Sequence, residues 1–221
     1  MSRPTVHAYH LPPTRLIPNS PYPLLHYPGL LSGAGACTPT SVRDLFASNE
    51  WETHWIFRYS ATQRSHYHSR AHECMAVLSG RARIRFGVAD TSEDMGENTH
   101  GAAHEAGGVT LAAEKGDVFL IPAGVSHKTY AATPEESFAL LTPGDGHGIA
   151  GEDAREALER IKLSGFTMMG AYPQGGDWDS CVGGEHEGRM EECWKVAKPG
   201  RDPVLGDAEE GVKGLWKEKE E

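Results

Sequence analysis

Short runs in which apolar and polar residues alternate constrain the fold of this chain more than any other feature. Residues 81–88, RARIRFGV, place Ala82, Ile84 and Phe86 on one face of a strand and three arginines on the other. HWIFRYS, ECMAVLSG and ESFALLT predict further strands, and turns such as KGD and PAG separate the runs. The 26 glycines and 14 prolines suit many short strands better than a helical bundle. We therefore predict a mainly β fold.

Two short helices and one irregular segment are predicted around these strands. TPTSVRDLFASNEW, residues 38–51, has apolar residues at helical spacing, with Thr40 or Ser41 as its N-cap. EDAREALERIKL, residues 152–163, combines an apolar stripe with acids at its start, which is typical of a helix. Residues 89–108 are polar and Gly-rich without a period, and we predict a mobile loop there.

The two ends of the chain differ from the middle in composition. Residues 1–36 are rich in Pro and Tyr and predict an extended N-terminal arm, which is either laid over the domain or exchanged with a partner subunit. Residues 37–200 form the predicted β domain. Residues 201–221 end in KEKEE and predict a charged C-terminal tail.

Charge and composition argue against several classes of partner. The net charge of −10 argues against nucleic acid, because phosphate binding needs a basic face. No stretch approaches the length of an apolar membrane span, and the first residues lack the apolar region of a signal peptide. We therefore expect no membrane association and a cytoplasmic location. The four cysteines form no CxxC pair and are expected to be reduced thiols.

Histidines and a glutamate are concentrated in HYHSRAHECMAVLSG, which starts at His66. His66 and His68 are two residues apart, so on a strand both imidazoles would project from the same face. Glu73 follows after a short turn, and His127 ends the segment GDVFLIPAGVSH, residues 116–127. We predict that these four side chains bind one metal ion. The alternative is a surface loop that is merely rich in histidine.

Three imidazoles and one carboxylate suit Fe(II), Mn(II), Ni(II), Cu(II) or Zn(II), and the sequence does not distinguish among these divalent ions. Such a set leaves one or two coordination positions for water, oxygen or substrate. His72 adjoins Glu73 and would point to the opposite face of a strand. We expect a surface or supporting role for His72, with metal ligation as the alternative.

The two segments together read H-x-H-x4-E-x6-G and G-x5-P-x-G-x2-H, which resemble the two signature motifs of the cupin superfamily. ASNEW, MGAYPQGGDWD and DPVLG are further similar to a group of uncharacterised single-domain metal-binding cupins from bacteria and fungi. The resemblance implies a single jelly-roll β-barrel that holds a metal inside, and a homodimer. The glycine usual before the first motif is Ser60 here. The asparagine usual after the second is Ala131, which we expect to widen the pocket near His127.

Residues that lie on the same face of a strand as Glu73 are candidates for the wall of a substrate pocket. Met75 and Val77 share parity with Glu73 and would line the cavity with it. Tyr59 and Phe86 are further candidates, with ordinary core packing as the alternative.

Three functions from different classes fit this site. The first, which the resemblance favours, is an O2-dependent oxygenase of the dioxygenase type that acts on a small organic molecule. Glu73 would be its base if it leaves the metal during turnover. The second is a non-redox isomerase, decarboxylase or lyase, in which the ion stabilises an enediolate. The third is a cupin that binds a small molecule without catalysis.

Overall fold

Strands dominate the computed structural model, which describes residues 3–151 and 153–217, and the mainly β prediction is confirmed. The strands in chain order are β1 (His7–Tyr9), β2 (Leu24–Tyr27), β3 (Trp51–Tyr59), β4 (Glu73–Ser79), β5 (Arg81–Phe86), β6 (Val109–Glu114), β7 (Val118–Ile121), β8 (His127–Thr133), β9 (Ala139–Leu140) and β10 (Phe166–Pro173). The helices are α1 (Pro39–Ser48), α2 (Met95–His100), α3 (Ala154–Glu159), α4 (Glu191–Trp194) and α5 (Val212–Leu215).

The strands form two antiparallel sheets. The larger sheet has seven strands in the order β1-β2-β7-β4-β10-β3-β9, and the smaller has three in the order β6-β5-β8. One cluster of buried apolar side chains, the inner core, contains residues of both sheets, so the sheets pack face to face around it. This is consistent with the jelly roll that the resemblance implied.

The interior strands of the larger sheet are buried on both faces. In β4, Met75 and Val77 point into the inner core, whereas Cys74, Ala76 and Leu78 point into a second apolar cluster, the outer core. The smaller sheet differs, because alternate residues of β5 are exposed or half-exposed arginines. The strict alternation seen in the sequence of β5 therefore reflects a sheet with one solvent face.

The C-terminal segment covers the outer core, so residues 201–217 pack on the domain and are not the charged tail predicted for residues 201–221. Trp216 is fully buried, stacks on Tyr22 with ring centroids 5.0 Å apart, and donates its Nε1–H to the carbonyl of Pro23 at 2.9 Å. Asp202 is also fully buried and accepts a hydrogen bond from the hydroxyl of Tyr27 at 2.5 Å. Charged residues surround Asp202 and Trp216 in the sequence, so no apolar run predicts that these two are buried.

The helices lie close to their predicted positions but differ at their ends. α1 begins at Pro39, because the side chain of Thr38 accepts a hydrogen bond from the backbone N–H of Ser41 and so caps the helix. This cap lies before the two residues predicted for it. α3 is shorter than its predicted range and is capped by Asp153. In the described ranges, no helix combines the length and the apolar character needed to cross a membrane.

Residues 89–108 contain regular structure, so the prediction of an irregular loop is wrong for part of this segment. Asp94 caps α2 by accepting hydrogen bonds from two backbone N–H groups, and Asn98 and Thr99 of α2 are buried. Arg85 donates to the carbonyls of both Asn98 and Thr99. A six-residue helix is too short to show a hydrophobic period, which explains why the sequence did not predict it.

In this chain the N-terminal arm lies on its own domain. β1 pairs with β2, and β2 pairs with β7 of the larger sheet. Leu25 and Tyr27 of β2 belong to the outer core. The arm thus adds two strands to the sheet and part of the surface on which Trp216 packs.

We expect Trp216→Ala to lower the free energy of unfolding by about 3–5 kcal/mol, because it empties a fully buried indole site. Trp194→Ala is the matched control, since Trp194 is 37% exposed and its Nε1–H donates to two backbone carbonyls. The control should cost about 1 kcal/mol. Urea denaturation followed by circular dichroism measures both variants. Equal losses would show that residues 201–217 do not contribute to the core.

Candidate metal centre

Backbone hydrogen bonds bring the two predicted motifs together. The N–H of His127 donates to the carbonyl of His66 at 2.8 Å, and the N–H of His66 donates to the carbonyl of His127 at 3.2 Å. The N–H of Gly124 also donates to the carbonyl of His68 at 2.8 Å. The segment after β3 is thereby joined to the first residue of β8, although the two lie far apart in sequence.

Two glycines of the motifs are required by backbone geometry. Gly124 has a φ of +85°, and a Cβ there would lie 2.5 Å from the carbonyl oxygen of Asn19. Gly80, in the turn between β4 and β5, has a φ of +71°, and a Cβ would lie 2.5 Å from the carbonyl oxygen of Gly165. Any other residue would be strained and would clash at these positions. Gly124 therefore permits the turn before His127, and Gly80 permits the turn that follows the strand of Glu73.

Three of the four predicted ligands form a compact cluster. One side-chain nitrogen from each of His66, His68 and His127 lies within 4.8 Å of the others. The ring centroids of His66 and His127 are 4.3 Å apart, and that of His68 lies 5.7 Å and 5.5 Å from them. His68 and His127 are buried, whereas His66 is half-buried. The cluster is therefore most accessible on the side of His66.

Glu73, the first residue of β4, lies against this cluster and is buried. Its Oε1 is 3.1 Å from Nε2 of His68, and its Oε2 is 3.4 Å from Nε2 of His127. Among the described residues Oε2 has no hydrogen-bond partner. A buried carboxylate oxygen without a partner is costly unless a cation or a donor satisfies it.

The orientation of two imidazoles fits a metal ion. Nδ1 of His66 is 3.1 Å from the carbonyl of Arg64, and Nδ1 of His68 contacts the carbonyl of Asp179. A carbonyl only accepts, so both Nδ1 atoms carry a proton, and Nε2 is the atom of each ring that can coordinate a metal. Nε2 of His68 faces an oxygen of Glu73. Burial lowers the pKa of His68, but Glu73 outweighs burial and raises it. A positive charge on or between these groups, either a proton on His68 or a metal ion, therefore stabilises the carboxylate, and three imidazoles with one carboxylate are a common donor set for divalent transition metals.

The protonation states suit this interpretation. Burial raises the pKa of Glu73, but the imidazoles of His68 and His127 outweigh burial and lower it to about 2. Burial and the neighbouring His68 lower the pKa of His66 to about 4. Burial and the neighbouring His66 lower the pKa of His127 well below its ordinary value. Near neutral pH the carboxylate is thus ionised and these two imidazoles are neutral, which are the forms that bind metals.

Sequence reasoning missed two residues that contact the site. Tyr172 of β10 donates its hydroxyl proton to Oε1 of Glu73 at 2.5 Å. Burial and the charge of Glu73 raise the pKa of Tyr172 well above its ordinary value, so the phenol stays protonated. Asp179 orients His68 through its carbonyl and accepts two hydrogen bonds from Ser69 through its carboxylate. Both residues lie in the quoted segment MGAYPQGGDWD, whose only signal was the resemblance.

A buried ion pair between Lys128 of β8 and Asp90 stabilises the backbone beside His66 and His127. Nζ of Lys128 lies 3.0 Å and 3.1 Å from the two carboxylate oxygens of Asp90, and both side chains are almost inaccessible. Asp90 also accepts a hydrogen bond from the N–H of Ser65 at 2.9 Å. Because Ser65 precedes His66 and Lys128 follows His127, the pair holds the residues beside both histidines.

His72 is buried, so the expectation of a surface position is wrong. Its Nδ1 accepts a hydrogen bond from the N–H of Ala123 at 3.0 Å, and its Nε2 donates to the carbonyl of Ala197 at 3.2 Å. Both ring nitrogens are therefore engaged by the backbone, which leaves none for a metal. The side chain joins the turn of the second motif to the segment after α4.

The residues predicted to line a substrate pocket all belong to the inner core. Met75, Val77, Tyr59 and Phe86 are buried there, and Met75 and Val77 lie on the inward face of β4, as their parity indicated. Their contact with a substrate stays a prediction. Ala131 is exposed and has a φ of +53°, so the expectation that it widens the pocket is wrong. Asparagine adopts this left-handed backbone more readily than alanine does.

The chain is similar to several known proteins. The sequence profile of the cupin family matches residues 57–147. "Uncharacterized protein YjlB" of Bacillus subtilis (strain 168) is 29% identical over 204 residues, which are 91% of each chain. Among solved structures, procruciferin, an 11S globulin from Brassica napus, matches 57% of this chain at 10% identity and a TM-score of 0.29. An oxalate decarboxylase formate complex from Lactobacillus farciminis matches 58% at 11% identity and a TM-score of 0.30. The chain spans 21% and 26% of the lengths of these two structures.

The matched range runs from β3 past β9 and includes all four predicted ligands. Residues 57–147 therefore match the cupin family model, and the resemblance carried by the two motifs is confirmed. Similarity to the Bacillus subtilis protein extends beyond this range to most of the chain.

We expect His72→Leu to lower the free energy of unfolding by about 1–3 kcal/mol, because it leaves the N–H of the buried Ala123 unpaired and removes the hydrogen bond to the carbonyl of Ala197. The variant should still bind as much Mn(II) or Zn(II) as the wild type. The exposed His100 provides a control, and His100→Leu should change stability by less than about 0.5 kcal/mol. Guanidinium unfolding and metal titration measure both properties. A folded His72→Leu protein without bound metal would make His72 part of the centre.

Proposed function

We propose that the protein is a metal-dependent cupin enzyme that acts on a small organic molecule. His66, His68, His127 and Glu73 would hold one divalent ion, of Fe, Mn, Ni, Cu or Zn. The observation that carries the proposal is the convergence of three imidazoles on a buried carboxylate. One side-chain nitrogen from each of His66, His68 and His127 lies within 4.8 Å of the others, and Nε2 of His68 and of His127 face Glu73. Oε2 of Glu73 has no hydrogen-bond partner among the described residues, and a bound cation would satisfy it.

The bound ion would supply Lewis acidity for a substrate oxygen and, in the case of Fe or Cu, access to O2 chemistry. The chain supplies orientation, charge and exclusion of water. His68 and His127 are buried and fixed by their neighbours, whereas the half-buried His66 marks the side from which a small molecule approaches. The hydroxyl of Tyr172 holds a proton beside Oε1 of Glu73.

We propose Glu73 primarily as a ligand. A general base works best when its pKa lies near the operating pH. The pKa of Glu73 is lowered to about 2, so the carboxylate is a weak proton acceptor but a stable anion. A ligand role uses that anionic form directly. Its role as a base stays a prediction that requires the carboxylate to leave the influence of His68 and His127.

For the reaction itself we propose an O2-dependent oxygenation of the dioxygenase type, as the resemblance of the ligand set implies. A second candidate, a non-redox isomerase, decarboxylase or lyase, is favoured by one contact. Tyr172 and Glu73 share a short hydrogen bond of 2.5 Å inside the site. Glu73 would become a stronger proton acceptor on leaving the influence of His68 and His127, and the pair would then move a proton without any redox partner. Non-catalytic binding of a small molecule would use neither of these features.

The ligand assignment predicts the metal content of single variants. Changes outside the ligand set weaken metal binding by about 10–100-fold, so loss of a ligand in His66→Ala or His127→Ala should weaken it by more than about 100-fold. His100→Ala removes an exposed imidazole on α2 and should leave metal content unchanged. Mass spectrometry of the purified proteins measures the metal, and circular dichroism checks the fold. Full occupancy in either ligand variant would remove that histidine from the centre.

Oxygen uptake distinguishes the two reactions. With phenols, diketones and hydroxy acids as candidate substrates, the wild type should consume O2 in proportion to product. His127→Ala should lose at least about 10³-fold in rate, equivalent to about 4 kcal/mol of activation free energy. An oxygen electrode and product analysis under air and under argon provide the measurement. Equal turnover under argon would exclude oxygenation and support the non-redox reaction.

A further inference from the structure

Tyr172 occupies a central position between the metal centre and the inner core. It lies on β10, between β4 and β3 of the larger sheet, and its side chain is fully buried. Its hydroxyl donates to Oε1 of Glu73 at 2.5 Å and accepts a hydrogen bond from Nε1 of Trp55 at 3.1 Å. The phenol is therefore fixed at both sides, by a donor and by an acceptor.

The two oxygens of Glu73 have different surroundings. Oε1 lies within hydrogen-bond distance of both the Tyr172 hydroxyl and Nε2 of His68. Oε2 has no hydrogen-bond partner among the described residues and lies 3.4 Å from Nε2 of His127. Rotation of the carboxylate about its own axis would exchange the two oxygens, and the bond from Tyr172 opposes that rotation.

Trp55 of β3 can reach Tyr172 only because β10, the strand of Tyr172, has a glycine at position 170. A Cβ at Gly170 would lie 2.1 Å from the indole ring of Trp55. The absence of a side chain at Gly170 lets the indole lie against β10, where its N–H points to the hydroxyl of Tyr172. The segment Gly-Ala-Tyr-Pro, which the sequence alone could not explain, thus contains one residue that makes room and one that makes the contact.

We propose that Tyr172, oriented by Trp55, is a positioning residue that fixes the rotation of the Glu73 carboxylate and leaves Oε2 as its metal-binding oxygen. The inference rests on the proposed metal-dependent function. Tyr172 acts through Glu73, and the lost hydroxyl in Tyr172→Phe would free the carboxylate to rotate. The structure offers no other hydroxyl donor to Oε1 among the described residues.

Titration of the full-length protein with Co(II) tests this role. Tyr172→Phe should raise the Kd for Co(II) by about 10–100-fold, the range found when groups that orient metal ligands are removed. The visible absorption of bound Co(II), which reports ligand geometry, should also change. Trp55→Phe keeps an aromatic ring but removes the N–H donor, and it should shift Kd and spectrum in the same direction by a smaller factor.

Tyr27→Phe is the matched control. Tyr27 makes the same kind of buried bond at the same distance, from its hydroxyl to Asp202 at 2.5 Å, but it does so in the outer core. Tyr27→Phe should lower the denaturation midpoint while leaving the Kd and the Co(II) spectrum unchanged. This outcome separates positioning from a general loss of stability.

Two results would overturn the inference, and they are distinguishable. If the wild type binds Co(II) and both Tyr172→Phe and Trp55→Phe bind it within about twofold and with the same spectrum, positioning by Tyr172 is wrong and the proposed function stands. If the wild type binds no Co(II), Mn(II), Fe(II) or Zn(II), the proposed function fails and the inference fails with it. Should Tyr172→Phe not fold, Trp55→Phe alone decides between positioning and its absence.

Discussion

The mutual backbone pairing of His66 and His127 is the constraint on which the rest of the site depends. It ties the segment after β3 to β8, and β8 is in turn fixed by its pairing with β5. The turn at Gly80 connects β4 to β5, so the same set of paired strands also fixes the position of Glu73, the first residue of β4. The imidazoles and the carboxylate thus converge because of hydrogen bonds between main chains. Preorganisation of this kind reduces the ordering that ligand binding would otherwise require.

Electrostatics and packing act together at this point. A buried carboxylate, two neutral imidazoles and an apolar inner core form a region where any cation gains strong attraction, because water does not screen it. Glu73 stays ionised there since neighbouring imidazoles and the hydroxyl of Tyr172 outweigh the effect of burial. Asp179 and the ion pair of Lys128 with Asp90 hold the surrounding backbone. The centre therefore depends on residues from both sheets and from the loop after β10.

The sequence predicted those parts of the structure that local patterns encode. Alternation identified β5 because one face of the smaller sheet meets solvent, and motif spacing identified the histidines because strands and tight turns fix local geometry. Tyr172 and Asp179 escaped prediction because their partners lie 99 and 110 residues away. No local rule connects such distant positions. The many charged residues of 201–217 indicate a tail. Trp216 is nevertheless buried, because it packs against the N-terminal arm, which is distant in the sequence.

The central position of β10 also shapes how the chain folds while it is being synthesised. β10 pairs with both β3 and β4, yet it follows them in the chain. At about 5–20 residues per second, an interval on the order of 5–20 s separates emergence of β4 from that of β10. During this interval each earlier strand exposes an unpaired edge and apolar side chains to solvent or to other nascent chains. We expect general chaperones to engage the polypeptide at this stage and to release it once β10 leaves the ribosome.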